Sequence, residues 1–512
     1  AHKELSDVVA RVLKTRPCAE WAEAFERADV PHARVRTTEE GMDDPQVAFN
    51  EMTIELEDPE LGPMMQMGVA IKLSETPGHV KGPRAAIGRH TSEVLSGLPY
   101  DSHPDAGTSP LDTGTLDPPL NGVKVLEITN LIAGPTAGRC LAELGADVIK
   151  MEPPGGDISR PIGRTYFYHL NANKRSLSVN ARTPEGTKVA QGVAERADIL
   201  LANLRPGATE RIGLGAEVLK RLNPGLIETH VTGYGQAGPY AHRAGIDPLA
   251  QALMGLSRAQ GGPGNPPVFY AQLAPTDFTA GALGALGTIM ALFVRERMGV
   301  AQRVDADLLT GGIFISSEVF VRYEGKPPRR LADSGQHGLG ALHRLYETAD
   351  GWIYLAAESR EAWRSLRAAL AWDGKGDDTL VAPATPGDDD TALASRLAEA
   401  FRRLGSEEWL DRLHRANVPC VPVKGGHSRV FLEDPQAAAS RMVVTHEHPV
   451  FGRLALSTNF VQLGSTAVTR ARPTPMLGEH TAEILEDLGY SQDRVRSLYR
   501  DDVVKTDEPP AG

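Results

Sequence analysis

At 512 residues, with a formal charge of −12 and 41% apolar against 23% charged residues, the chain has the composition of a soluble multidomain enzyme. The acidic balance repels polyanions and excludes nucleic acid as a partner, and no run of about 18 uncharged apolar residues offers a membrane span. Three widely spaced cysteines, Cys18, Cys140 and Cys420, form neither a disulfide framework nor a thiolate metal site, which points to a reducing cytoplasm.

The opening segment AHKELSDVVARVLKTRP begins without Met and lacks the apolar core and cleavage site of a secretory signal. Residues 15–98 then prove to be one copy of a repeat whose second copy is 403–488. Trp21 and Pro31 stand 388 residues before Trp409 and Pro419; Pro45, Gly62 and His90 stand 390 before Pro435, Gly452 and His480. A complete first copy would need about 270 more residues upstream, so the expectation is a fragment of a tandem protein of about 780 residues. The alternative is a domain appended by duplication. Residues 1–100 are therefore assigned to the end of a first unit, and the proline-rich stretch 101–119 to a solvated linker.

A whole unit follows over 120–495, with a polar tail at 496–512. The run VKVLEIT (123–129) suits a buried strand, AGPTAGRCLAELGA a helix, and DVIKME a second strand broken by Pro153, Pro154 and two glycines. Thr183 before Pro184 is an N-cap ahead of a proline at the first helical position, and ADILL is another buried strand. This alternation predicts a doubly wound parallel sheet, with ligands at the carboxyl ends of its strands. GPTAG lacks the G-x-G-x-x-G spacing, so a nicotinamide dehydrogenase is a weak reading. The large domain is placed at about 120–330 and 440–495, and a smaller α+β domain, with the strand GWIYLAA, at about 340–430. His446 and His448 have no further ligands at zinc spacing and read as solvated strand residues; no metal is expected.

The ordered segments LNGVKVLEITNLIAGPTAGRCLAELGADVIKMEPPGGD, NANKRSLSVN, TPEG, NLRPGATERIGL, GYGQAGPY and LGEHTAEIL resemble the class III coenzyme A transferases, a family that includes formyl-CoA transferase, carnitine CoA-transferase and α-methylacyl-CoA racemase. The resemblance spans 120–495, and its final part also covers 15–98. It implies a Rossmann-like large domain, a small domain, and two chains interlocked like links.

The resemblance also implies that Asp277, before a long apolar helix, is the nucleophile of an acyl-CoA:carboxylate CoA-transferase; by pattern alone it reads as an N-cap. A helix start would favour the ionised carboxylate that attack on a thioester requires. Asp247 matches a second active-site carboxyl group, against the plainer reading of a surface turn before Pro248. Racemases place a histidine before that aspartate where this chain has Ile246, which favours transfer. Coenzyme A, the only cofactor-like molecule implied, is matched to Ile132, Ala133, Val179 to Arg182, Asn203, Leu204, Arg205, Arg211 and Ala244 to Asp247, with the arginines on its phosphates. Gly338 and Gly340 match a mobile substrate loop, or read as a plain interdomain turn. Ile132, Pro153 and Ile162 stand where formyl-CoA transferase has Gln, Arg and Trp, which puts oxalate or formyl specificity in doubt. The alternatives are a lyase, isomerase or racemase of the same superfamily, and a non-catalytic acyl-CoA-binding subunit. A homodimer, or a pseudo-dimer within a longer tandem chain, is expected.

Overall fold

The computed structural model describes residues 2–98, 116–162, 164–270, 273–372, 390–425, 428–448, 451–458, 461–463 and 472–507. Residues 101–115 of the expected linker and 508–512 of the expected tail lie outside them. The runs read as buried strands are strands: Lys124–Ile128, Asp147–Glu152 and Ile199–Ala202, with Arg175–Val179, Ile227–Thr232 and Arg303–Asp307 completing six parallel members. Numbered in chain order, the third, second, first, fourth, fifth and sixth of these lie side by side, a doubly wound order with its switch point between Lys124–Ile128 and Ile199–Ala202.

Each central strand is buried on both faces, so alternate residues enter different cores. Val125 faces a core with Ala137, Leu141, Val231, Ala280 and Val304, while Leu126 and Ile128 face another with Val189, Val193 and Leu485. Helix Pro184–Glu195 covers the second face and starts as its sequence predicts, with Thr183 Oγ1 accepting from the Gly186 amide at 3.0 Å.

Both margins of the sheet come from segments distant in sequence. Lys72–Leu73, from the first repeat copy, pairs antiparallel with Arg303–Asp307, and Val504–Lys505 pairs antiparallel with Arg175–Val179. The second pairing corrects the polar tail expected at 496–512. Leu498, Val503 and Val504 are buried in the second core, because one side of helix Gln492–Arg500 and the strand after it is apolar. Met42, Val47 and Met52 of the first copy likewise enter the first core.

The smaller domain is an antiparallel sheet of Gly338–Gly340, His343–Glu347, Trp352–Ala356 and Cys420–Pro422, covered by helices Arg360–Ala369, Thr391–Phe401 and Ser406–Arg415. The two repeat copies share several elements, although 462–463 form no strand to match Lys72–Leu73. Hairpin Thr53–Asp58/Gly62–Met67 matches Val443–His448/Gly452–Ser457, each closing on the same pair of positions, Asp58 with Gly62 and His448 with Gly452.

Two expectations need correction. His448 is not solvated: it is buried edge-on against Tyr168, with ring centroids 5.5 Å apart, and also contacts Phe451. Helix Pro275–Met298, 24 residues long, has the length and composition of a membrane span after all. The uncharged stretch 278–294 narrowly escaped the sequence criterion because Asp277 and Arg295 bound it. Half of its most apolar window is buried within the protein, along a flat stripe of Gly281, Gly284 and Gly287. A Cβ on Gly284 would stand 2.6 Å from Val231, and one on Gly287 2.5 Å from Val304, so the helix lies closer to the sheet than any side chain would allow.

Candidate active site

The site is built where the strands end at the switch point. After Lys124–Ile128 the chain turns through Asn130 and Leu131, whose φ is +65°, into helix Ala133–Glu143. Asn203, just past the neighbouring strand, fixes this turn: its Oδ1 accepts from the Asn130 amide and its Nδ2 donates to the Asn130 carbonyl, both at 2.8 Å. Gly134 permits the approach, since a Cβ there would lie 2.8 Å from the Asn203 side chain.

Beneath the turn is a buried charge network. Lys150 lies 3.0 Å from Asp157 and 3.3 Å from Glu127, and Lys174 lies 2.8 Å from Glu127, all four side chains fully buried. Asp157 also accepts from the Leu131 amide at 3.3 Å. Burial draws the Lys174 ammonium down to about 8, whereas the surrounding carboxylates outweigh burial at Lys150 and raise it. None of these residues was singled out as a site residue, although KMEPPGGD and NANKRS carry three of them. Their signal was a lysine inside an otherwise buried strand pattern.

A cleft of about 490 Å3 opens beside this turn, lined by Thr129, Asn130, Pro153, Val179, Arg182, Leu204 and Arg211 among others. Six residues matched to coenzyme A, Val179 to Arg182, Leu204 and Arg211, thus share one cavity. The Arg182 and Arg211 side chains are exposed and have no ion-pair partner among the described residues. Arg205 is placed differently: it pairs with Asp29 of the first copy at 3.1 Å and donates to the His242 carbonyl at 3.3 Å.

Ile132 and Ala133 open their helix against the Asp277 helix. A Cβ on Gly281, one turn beyond Asp277, would meet the Ala133 carbonyl oxygen at 2.4 Å. Asp277 sits in the first turn of helix Pro275–Met298 but is not its N-cap. That position is Ala274, held at φ +40° with no capping side chain, a strained backbone directly before the carboxyl-bearing turn. The Asp277 carboxyl has no hydrogen-bond partner among the described residues. Burial first, and the neighbouring Asp247 charge second, raise it from the ordinary 3.8 to about 7. The helix start therefore does not keep it fully ionised at neutral pH.

Asp247 is buried, which removes the reading of a surface turn acid. Its Oδ1 accepts from the Thr276 amide at 2.9 Å and hydroxyl at 2.6 Å, and its Oδ2 accepts from Gln251 Nε2. Gln251 is held in turn by accepting from the Tyr270 amide at 3.2 Å. Asp247 is thus tied to the residue next to Asp277, leaving one restrained carboxylate beside one unrestrained carboxyl. Thr276 and Gln251 were missed by the sequence reading, because nothing local marks a Thr or Gln as a carboxylate partner.

Gly338 and Gly340 form an edge strand hydrogen-bonded to His343–Glu347 through a bulge, and lie outside the lining of the cleft. Among the described residues no cluster of three or more His, Cys, Asp or Glu is arranged to hold a metal ion.

The model of CoA-transferase family III matches residues 1–91 and 120–481. The chain belongs to that family. Human succinyl-CoA:glutarate CoA-transferase is 32% identical over 388 residues, covering 73% of this chain and 87% of that protein. Human alpha-methylacyl-CoA racemase is 30% identical over 402 residues, covering 77% and 99%. Among solved structures, a CAIB/BAIF family protein from Brucella suis superposes with a TM-score of 0.64 at 28% identity, covering 73% of this chain and 100% of that one. The chain is accordingly an enzyme of the CoA-transferase type with a mixed α/β fold.

Proposed function

We propose that residues 120–495 transfer coenzyme A from an acyl-CoA to a free carboxylic acid, with Asp277 as nucleophile. The observation that carries this reading is the unpartnered Asp277 carboxyl on a strained helix start, packed against the turn that borders the cleft. An Asp277 oxygen attacks the thioester carbonyl, the C–S bond breaks, and the CoA thiolate leaves a mixed anhydride. The thiolate then attacks the aspartyl carbonyl, expelling the donor carboxylate and forming an aspartyl-CoA thioester. The acceptor carboxylate attacks that thioester, the thiolate departs again, and its attack on the acceptor acyl carbon regenerates Asp277 and releases the new acyl-CoA. No external acid, base or redox partner is required. Arg182 and Arg211 are assigned to the CoA phosphates. Arg205 joins them only if its pair with Asp29 opens, and Asp247 supports the Asp277 turn.

The partners are an acyl-CoA and a carboxylic acid. The three cysteines are free, which suits a reducing cytoplasm. The expected interlocking of two chains is retained as part of this reading.

Incubation with an acyl-CoA followed by hydroxylamine or borohydride tests the chemistry by peptide mass. A modified Asp277, absent from Asp277→Ala, is the expected result. Tight acyl-CoA binding with no adduct would instead support a binding subunit. The racemase relative motivates a second reading, proton removal at the α-carbon. Deuterium uptake from heavy water into acyl-CoA without transfer would establish it in place of the first.

A further inference from the structure

A buried ion pair is a poor way to stabilise a fold. Stripping water from a carboxylate and an ammonium costs about as much as their attraction returns, and well-packed apolar side chains of similar size hold such a site as well or better. Four such ions nevertheless meet under the turn that joins strand Lys124–Ile128 to helix Ala133–Glu143: Glu127, Lys150, Asp157 and Lys174. The helix clears room for them at Gly138, where a Cβ would stand 1.8 Å from Glu127 Oε2 and 3.1 Å from Lys174 Nζ.

Besides one another, these ions hold main chain. Lys150 Nζ donates to the Thr129 carbonyl at 2.9 Å and Lys174 Nζ to the Pro135 carbonyl at 3.0 Å, so the two lysines grip the turn from either end. Between them Asp157 Oδ1 accepts from the Leu131 amide at 3.3 Å. Asp157 is itself fixed: the same oxygen accepts from the Ser159 amide at 2.8 Å and hydroxyl at 2.7 Å, and its own amide donates to Glu152 at 3.0 Å.

Leu131 is where a hold is needed. Its φ of +65° lies in the left-handed region, where a leucine Cβ crowds the following carbonyl oxygen, and its side chain, 38% exposed, gains little by packing. Released, such a residue returns to negative φ and swings the residues after it. Those residues bear on the reacting carboxyl, because the Ala133 carbonyl meets the Asp277 helix backbone to backbone at Gly281, with no side chain between them to absorb a shift.

We infer that Asp157, braced by Lys150, is a positioning residue for the transfer reaction, holding Leu131 in its left-handed conformation and so setting where helix Ala133–Glu143 meets the helix that carries Asp277. The inference rests on the transfer reading above. Lys174 and Glu127 have the matching task at the other end of the turn, through the Pro135 carbonyl. All four act through the backbone, so their effect falls on the rate at which Asp277 is acylated, whereas affinity for coenzyme A depends on Arg182 and Arg211, which follow other strands.

Two neutral pairs in the full chain separate this role from a structural one. Lys150→Met with Asp157→Asn keeps an oxygen to accept from the Leu131 amide; Lys150→Met with Asp157→Leu removes it; both leave Glu127 balanced by Lys174. Calorimetry gives the affinity for coenzyme A. Rapid quench with hydroxylamine gives the rate of Asp277 acylation by whichever of acetyl-CoA, succinyl-CoA or octanoyl-CoA labels the unaltered chain fastest. The asparagine pair should acylate within about threefold of the unaltered chain and the leucine pair about tenfold or more slower, with coenzyme A affinity within about threefold in both. Adding Leu131→Gly to the leucine pair should restore much of the rate, since glycine enters positive φ without crowding. Equal rates in the two pairs overturn the inference, as does a loss that Leu131→Gly leaves unchanged or that coenzyme A affinity matches. If the leucine pair does not fold, Leu131→Val decides: the side chain is exposed, and a β-branched residue resists the left-handed region more strongly. Acylation about tenfold slower at unchanged coenzyme A affinity is then expected, and an unchanged rate overturns the inference. An unaltered chain that forms no Asp277 adduct with any of the three fails the transfer reading and takes the inference with it, whereas an adduct in the unaltered chain with equal rates in the two pairs fails the inference alone.

Discussion

Replacing Asp277 by Asn should remove activity and, at alkaline pH, make the protein more stable. The folded-state value of about 7 exceeds the ordinary 3.8, so the folded protein holds this proton where the unfolded chain has released it. Stability from that proton is fully present below 3.8 and is lost progressively as pH rises to about 7, after which the loss is constant. At about 1.36 kcal/mol per unit, the loss between pH 5 and 7 is roughly 2.7 kcal/mol, and its full extent from 3.8 upward about 4 kcal/mol. Asp307 is also raised to about 7, mainly by burial, and contributes a slope over the same range. The informative quantity is therefore the difference between wild type and Asp277→Asn, in which Asp307 cancels. Urea unfolding at pH 5, 6, 7 and 8 should show that difference growing by about 2–3 kcal/mol in favour of the variant from pH 5 to 7, then holding level. Turnover should fall by ~10³-fold or more at every pH. A difference that stays flat with pH would refute the partly buried environment near the Asp247 charge assigned to this carboxyl.

Because attack requires the carboxylate, kcat/KM should rise about tenfold per unit below pH 6 and level off above about 7, and Asp247→Asn should move that inflection to lower pH by removing the second cause of the shift. Arg182→Ala and Arg211→Ala should each raise KM for acyl-CoA by about 10-fold or more with kcat within about twofold, measured by initial rates. Gly281→Ala must push helix Pro275–Met298 away from the Ala133 carbonyl, which stands 2.4 Å from the added methyl, at a cost of about 1–3 kcal/mol in urea unfolding. Glu127→Gln leaves Lys150 and Lys174 facing each other without their shared carboxylate, and should destabilise by about 3–5 kcal/mol in the same assay.

Local signals carried much of the architecture. Buried apolar runs marked the strands, Thr183 and Pro184 marked a helix start, and the offset of 390 residues joins two hairpins of the same register. These features depend on a few consecutive side chains, so a linear reading suffices. Asp277 and Asp247 were legible as candidates only through family resemblance, since an aspartate before an apolar helix looks the same whether it caps or reacts.

Their environments were decided by tertiary packing. Asp247 is buried because Thr276 and Gln251 converge on it, and Asp277 is shifted because burial and Asp247 act together. Arg205 meets Asp29 across 176 positions, Gln46 meets Tyr234 across 188, and the terminal strand Val504–Lys505 closes the sheet on a partner more than 300 residues earlier. No short-range pattern encodes such pairings, because their stabilisation comes from surfaces that exist only once the doubly wound sheet has formed. Sequence determined which chemistry this chain carries; the fold decided which carboxyl is held and which is left free.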